Sequence, residues 1–496
     1  MSGFASSISL MLVSLLVPFA AAAIIPLFRR RPNLREAVTL IAAVCLFATA
    51  LTITAPVLGG ARPQWIGLQV MPAVAIAFQI EPLGMLFALI ASGLWIVNSI
   101  YSIGYMRAND EPRQTGYYVC FALALGSTIG VAFAANLFTL FLFYEALTLS
   151  TFPLVTHHRD DDSMRSGRLY LTMLLGSSLM LFLPAIVITF VLAGTVDFKS
   201  GGVLAGTNPT LLAALLGLYV FGIGKAAVMP MHRWLPAAMV APTPVSALLH
   251  AVAVVKAGVF CIVKIVVYIF GIETLTASGA NEWLIYVGSA SLLLASCIAL
   301  TRDNLKARLA YSTVSQLAYV VVGAALANTT SILGSGLHIA THAAGKITLF
   351  FCAGAIYTAL HKTEISDMAG IGRKMPVTMT AFLVGSLSII GLPPFAGTWS
   401  KWLLALGAID SGHLFVVAVL MISSLLNVAY LLPIVARAFF LPLPGESAAT
   451  VKLQEAPVAC LIALCATALL CVVLFFGAGF IENLLAGIFV RPLSMG

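Results

Sequence analysis

Inside stretches of otherwise apolar sequence the chain carries Glu145, Lys225, His250, Lys256, His338, His342, Lys346 and Lys401. All are side chains that exchange protons or hold a charge beside one that does. A charge near the centre of a bilayer costs at least about 2.5–3.5 kcal/mol on insertion scales, so a chain that only had to span would use leucine there. The chemistry that accounts for such a set is ion movement, with proton relay as its first form.

Spacing sharpens this. His338, His342 and Lys346 stand at i, i+4 and i+8 in GLHIATHAAGKITLFF, on one face of a helix. Such a row can carry a proton through a dry region, with water completing the chain. Two histidines at i, i+4 can also ligate a metal or pack against serine and threonine, but no acid or cysteine lies nearby to complete a metal set. Glu145, in LFLFYEALTLSTFPLV, is the only acidic residue deep inside an apolar run. Alone it would take up a proton; a lysine would keep it ionised, and Lys225 is the preferred partner. A purely structural ion pair is the plainer alternative.

The remaining polar residues read as less informative. His250 and Lys256 are nearly two turns apart and share a side only roughly. Lys264 lies two turns beyond Lys256, nearer the outer surface, where it can snorkel. His232 sits at a loop beside Arg233. The run HHRDDD (157–162) has metal-site residue types but reads as a flexible, solvated loop. Glu81 and Glu482 lie at span ends and need no function, and Asp410 weakly marks an exit.

The elements that must position these groups are membrane spans. The chain has 496 residues, 61% hydrophobic and 9% charged, with a mean hydropathy of +1.05. A soluble chain would carry roughly 25% charged residues. Apolar runs are continuous over about 20 residues, which excludes a membrane barrel with its alternating strands. The expected fold is an all-α polytopic membrane protein with about fourteen spans: 6–28, 36–57, 81–105, 116–134, 136–156, 167–195, 210–231, 243–271, 283–301, 307–327, 333–360, 376–408, 412–436 and 455–481. The gap 58–80, with Gly59, Gly60, Pro63 and Pro72, reads as an outer-face loop or hairpin. The eight cysteines lie in apolar runs with no C-x-x-C pair and read as filler.

Basic residues test the count. Alternate loops hold 18 of the 26, among them Arg29, Arg30, Arg31, Arg107, Arg113, Arg302, Lys306 and Arg373, whereas the opposite loops hold only Arg62, Lys199 and Arg491. This split puts both termini on the outer side of a bacterial inner membrane, and it makes the net charge of +8 topological, not a nucleic-acid signal. The arginines follow the first apolar run, which argues for a span over a cleaved signal peptide.

Two spans are interrupted. The seventh carries GIGKAAVMP with Pro230, and the twelfth GLPPFAGTWSK with Gly391, Pro393 and Pro394. They lie five spans apart, each with a lysine beside the break, as expected of two inverted five-helix repeats, spans 4–8 and 9–13. The bland alternative is that glycine and proline are simply commoner in membrane helices. The expected layout is one membrane domain, 1–496. It comprises an N-terminal three-helix segment (1–115), repeats at 116–271 and 283–436, and a C-terminal helix (437–496). No nucleotide, haem, cluster or metal motif is present, so no cofactor is expected and energy must come from an ion gradient or from partner subunits.

The stretches FYEAL, GKAAVMPMHRWLPAAMVAPTPVSALLH, LKARLAYSTVSQLAYV, HIATHAAGK and IIGLPPFAGTWSKW cover about residues 116–405. In this order they resemble the antiporter-like subunit family, shared by Mrp-type multisubunit cation/proton antiporters, respiratory complex I and membrane-bound hydrogenases. The resemblance implies fourteen helices, two inverted repeats and a central polar proton path without a catalytic centre. It implies that Glu145 and Lys225 are the acid–lysine pair, that His250, Lys256, His338, His342 and Lys346 form the relay, and that Lys401 is the terminal lysine. Alanine at 237 replaces a frequent acid after W-L-P, and Lys401 stands where one complex I subunit type has glutamate. Within the family the chain is most similar to the D-type membrane component of Mrp antiporters. The function implied is proton translocation within a multisubunit Na+/H+ antiporter, alongside other membrane subunits and the lipid bilayer. The alternatives are the membrane arm of a complex I-like or hydrogenase-like machine, and a proton-coupled partner in bicarbonate uptake.

Overall fold

The computed structural model describes residues 2–443 and 452–489, so Arg491 and part of the last connection fall outside the described residues. Helices α1 (Ser2–Ile24) and α2 (Pro32–Leu58) precede a hairpin of β1 (Gln64–Met71) and β2 (Val74–Gln79). Then come α3 (Pro82–Ala108), α4 (Gln114–Phe133), α5 (Leu137–Val155), α6 (Asp161–Ser177), α7 (Leu183–Ala193) and α8 (Pro209–Gly222). Short helices α9 (Trp234–Ala237) and α10 (Thr243–Ala247) lead into α11 (Val254–Ile265) and α12 (Ile272–Ser278). The second half comprises α13 (Glu282–Leu300), α14 (Leu305–Ala325), α15 (Thr329–Leu360), α16 (Pro376–Ile390), α17 (Gly397–Asp410), α18 (Leu414–Phe440), α19 (Val458–Phe476) and α20 (Ala478–Ala486).

Helix occupies each of the fourteen expected segments. Among the described residues, eleven helices are long and apolar enough to cross a membrane, and the two shorter apolar helices, Pro209–Gly222 and Pro376–Ile390, are those that end at the expected breaks. Helix α14 is 21 residues long but more polar, with Ser312, Thr313, Ser315 and Gln316 all buried. The hairpin between α2 and α3 is the one β-sheet among the described residues.

Position in the bundle follows the placement of the charged side chains more than overall apolarity. Helices α1, α2, α18 and α19 expose leucine, isoleucine and valine outward. The stretch Thr243–Phe270, which carries His250, Lys256 and Lys264, is entirely buried. This charged stretch is thus central, where neighbouring polar groups replace the water that lipid cannot supply.

Connections gather at two ends. At one, the basic face, Arg107 bonds Asn33 and Glu36, Arg113 donates to the His157 carbonyl, and Asn304 bonds Glu364. At the other, the hairpin face, Ala135 N–H donates to Ala77 O, Asn136 pairs with Asp197, and Arg62 reaches Gly487 O.

Two expectations need correction. The HHRDDD run is not a loose loop. His157 is buried 3.5 Å from Glu111, His158 reaches the same carboxylate at 3.2 Å, Asp160 caps α6, and Asp161 and Asp162 sit in its first turn. Nor is the eighth span one regular helix. Between α10 and α11 a π-helical turn, Leu248–Val252, holds His250. Apolar periodicity carries no mark of such a turn.

Candidate functional site

Both expected breaks form. In the seventh span α8 ends at Gly222, a 3-10 turn covers Gly224–Ala226, and the chain turns through Pro230 before α9. The backbone groups freed there find side-chain partners: Lys225 N–H donates to Tyr144 Oη at 3.2 Å, Met229 N–H to Ser291 Oγ at 3.3 Å, and Trp234 Nε1 to Gly224 O at 3.0 Å. In the twelfth span α16 ends at Gly391, whose φ of +91° favours glycine. Pro393 and Pro394 occupy the gap, and α17 starts at Gly397. A Cβ on Gly397 would lie 1.9 Å from Ser388 O, so only glycine permits that approach.

Lys225 is fully buried. Its Nζ donates to Tyr144 O at 2.8 Å and Thr148 Oγ1 at 2.5 Å, and lies 3.2 Å from the centre of the Tyr144 ring. The expected contact ion pair with Glu145 does not form. Both Glu145 carboxylate oxygens lack a hydrogen-bond partner, and the ammonium is held by the residue before Glu145 and by a threonine one turn on. One helix position decided this: Tyr144 and Glu145 point about 100° apart on α5.

The central row is continuous. Lys256 Nζ lies 2.5 Å from His342 Nδ1. The His342 and His338 rings stack, with centroids 5.8 Å apart. His338 Nδ1 is 2.9 Å from Ser400 Oγ, and its ring stacks on Tyr319 at 5.3 Å. The other face of the connection is Lys401, 4.8 Å from the Tyr319 ring centre, which donates to Ile390 O at 2.9 Å and Ser424 Oγ at 3.1 Å.

This order revises the relay expected from spacing. Lys256 enters the row at His342, and His338, not Lys346, faces Lys401. Lys346 points away to Ser312 Oγ at 2.5 Å and Leu309 O at 3.4 Å. His250 touches no polar partner: both ring nitrogens are unsatisfied and the ring packs on Phe350 at 4.6 Å. The Nε2 atoms of His338 and His342 and both polar atoms of the Gln316 side chain are likewise buried without a protein partner. Buried polar atoms of this kind are served by water.

Lys264 is corrected outright. It does not snorkel: it is fully buried and pairs with Glu81 at 3.2 Å, so Glu81 is not an idle span end. Sequence reasoning also missed Tyr144, Thr148, Tyr319, Ser400 and Ser424. A tyrosine in the second helix of each five-helix unit was the available signal, since an aromatic face is one of few partners for a lysine away from water.

The model for the transmembrane region of NADH:quinone oxidoreductase and Mrp antiporter proteins matches residues 134–427. That range contains Glu145, Lys225, His250, Lys256, His338, His342, Lys346 and Lys401. The chain belongs to this family. NADH-quinone oxidoreductase subunit N of Desulforudis audaxviator is 31% identical over 385 residues, which cover 76% of each chain. The A component of the Na(+)/H(+) antiporter of Alkalihalophilus pseudofirmus is 29% identical over 462 residues, 85% of this chain but 55% of that one. This chain therefore spans about half of some longer family members. A chain in the structure of the Mrp complex from Dietzia sp. DQ12-45-1b superposes with a TM-score of 0.84 at 20% identity, covering 98% of both chains, which establishes a shared fold. Family membership makes the protein a multi-pass membrane protein of the antiporter-like kind, and the related assemblies are multisubunit membrane complexes.

Proposed function

We propose that this chain is the proton-translocating subunit of a multisubunit monovalent cation (Na+)/H+ antiporter of the Mrp type, without a catalytic centre of its own. The reading places it in a bacterial inner membrane, with the basic face toward the cytoplasm and the hairpin face outside. The observation that carries it is the buried series Lys256, His342, His338 and Ser400, which the Tyr319 ring links to the half-buried Lys401. A static core has no use for such groups gathered in one row, whereas a proton path needs them.

In this mechanism Lys225 holds a proton at the first break and Glu145 tunes it from one position along α5 without touching it. Loosening Lys225 from Thr148 lets the proton pass by water to Lys256. It then moves through His342 and His338 to Ser400 and Lys401, which exchanges it at the second break. His250 and Lys346 flank the row toward the basic face. The two inverted repeats, 116–271 and 283–436, supply one break each, framed by the segments 1–115 and 437–496.

Arginine keeps the charge of lysine but does not lose its proton. Lys225→Arg and Lys401→Arg are expected to abolish proton transport in everted vesicles while the complex still assembles. Transport at the wild-type rate would defeat the relay.

A second reading is the membrane arm of a quinone oxidoreductase. It is favoured by the even coverage shared with the subunit N relative. Co-purifying proteins separate the two: small membrane subunits for the antiporter, iron–sulfur and quinone-module proteins for the oxidoreductase.

A further inference from the structure

One buried ion pair stands outside the row. Besides its contact with Glu81 Oε1, Lys264 Nζ donates to Ala134 O at 2.9 Å and approaches Ala132 O at 3.4 Å. Glu81 in turn accepts from Leu83 N at 2.7 Å, Gly84 N at 2.9 Å and Tyr268 Oη at 3.1 Å. Every hydrogen bond to this carboxylate is donated to it, the pattern of an ionised acid held at a helix N-terminus.

The pair is not sealed off. It lies at a cavity of ≈ 270 Å³ on the hairpin face, whose wall includes Arg62, Phe198, Lys199, Tyr268 and Ile488. Lys199 and Ser200 at the rim are exposed, so the cavity reaches the surface. The charged and titratable groups facing it are Arg62, Glu81, Lys199, Lys264 and Tyr268. Lys264 shares α11 with Lys256, eight residues and about 12 Å of helix rise away. Glu81 lies outside the region matched by the family model.

We propose that Glu81 and Lys264 form a proton-exchange site that opens the Lys256 end of the buried row to solvent on the hairpin face, in series with Lys401 at the other end, so that flux needs both. This rests on the relay reading above. In the outward direction one N–H bond of Lys264 breaks, the proton passes to a water oxygen in the cavity, and the electron pair stays on Nζ. Glu81 remains ionised throughout and keeps its bonds to Leu83, Gly84 and Tyr268. The amine regains its proton from the Lys256 side of α11, past Cys261, by way of water. A pair that only clamped α3 to α11 would need no opening to solvent.

The test uses the intact complex in proteoliposomes with a pH-sensitive dye. Lys264→Arg preserves the charge opposite Glu81 but does not release a proton, so flux is expected to fall at least tenfold with assembly and melting temperature unchanged. Wild-type flux in this variant overturns the proposal. If Lys225→Arg and Lys401→Arg abolish flux while Lys264→Arg does not, the relay stands and this outlet falls. If all three leave flux intact, the relay falls and takes the outlet with it. Independently, Ser200→Cys is labelled with a bulky, membrane-impermeant thiol reagent, with the unaltered chain treated alike as control. Labelling is expected to cut flux severalfold, and unchanged flux after verified labelling overturns the proposal.

Discussion

At the two helix breaks a lysine lies over a tyrosine ring, but the lysines are held in different ways. Lys225 sits inside its gap and takes all its partners from α5: the Tyr144 carbonyl, hydroxyl and ring, and Thr148. Lys401 sits on α17 beyond its gap and reaches back to Ile390 O at the end of α16, with Ser424 of α18 and Tyr319 of α14 around it. A cation on the last carbonyls of a helix is favoured by the helix dipole. Lys401 therefore ties the two halves of its own broken helix, while Lys225 answers to the neighbouring helix that carries Glu145. The first break is built to be adjusted from outside, the second to hold its shape and pass on what arrives.

If both lysines serve one path, the largest effect is non-additive. Lys225→Ala and Lys401→Ala should each lower proton flux on the order of 100-fold, within the span attributed to positioned acid–base groups, and the double variant should be no worse. Multiplied losses in the proteoliposome assay would mean two independent paths.

Next in size is a steric test of the first break. A Cβ on Gly258 would lie 2.3 Å from Lys225 C and Ala226 N. Gly258→Val should therefore destabilise by about 3 kcal/mol, the upper range for overpacking, and lower the melting temperature of the purified complex. An unshifted melt would show that the first break is looser than the packing of α11 implies.

The tyrosines separate the breaks more finely. Tyr144→Phe leaves Lys225 N–H without its acceptor, and an unsatisfied buried donor costs about 1–3 kcal/mol. Tyr319→Phe keeps the ring over Lys401 and loses a 3.3 Å bond to Leu420 O, so its cost should stay below about 1 kcal/mol. Equal losses in denaturation of the two variants would remove the distinction.

The smallest effect lies at the basic face, away from both breaks. Burial alone would raise the Glu111 pKa, but hydrogen bonds from His157 and His158 outweigh it and bring it down to about 2. The same bond raises His158. Glu111 therefore contributes stability that is present above its unfolded value and lost as pH falls toward about 2. His158 contributes stability that is present below its unfolded value and lost as pH rises through its raised one. The tie between these loops is strongest between about pH 4.5 and 6.5. Melting temperature should drop slightly as pH rises above that window, and His158→Gln should remove the drop. A drop that persists in this variant would place the titration elsewhere, the breaks included.

Much was legible in one dimension. Membrane spans announce themselves because lipid demands continuous apolar helix, and the breaks because Pro230, Gly391, Pro393 and Pro394 cannot continue one. His338, His342 and Lys346 share a helix by spacing alone. Less legible was which way each side chain points. The π-helical turn at His250 rotates everything after it, and no residue pattern signals that rotation. Glu81 and Lys264 are 183 positions apart and looked idle separately, since each stands near a span end where solvent is the ordinary partner.

The amino-acid sequence by itself determined that this is a bundle of membrane helices, broken twice, with protonatable groups along its middle, because each of those properties is local. Tertiary structure alone decided the partners: Thr148 and Tyr144 in place of a Glu145 contact, His338 in place of Lys346 beside Lys401, and Glu81 for Lys264. Partner choice depends on a few ångströms between helices, and that distance is set by packing.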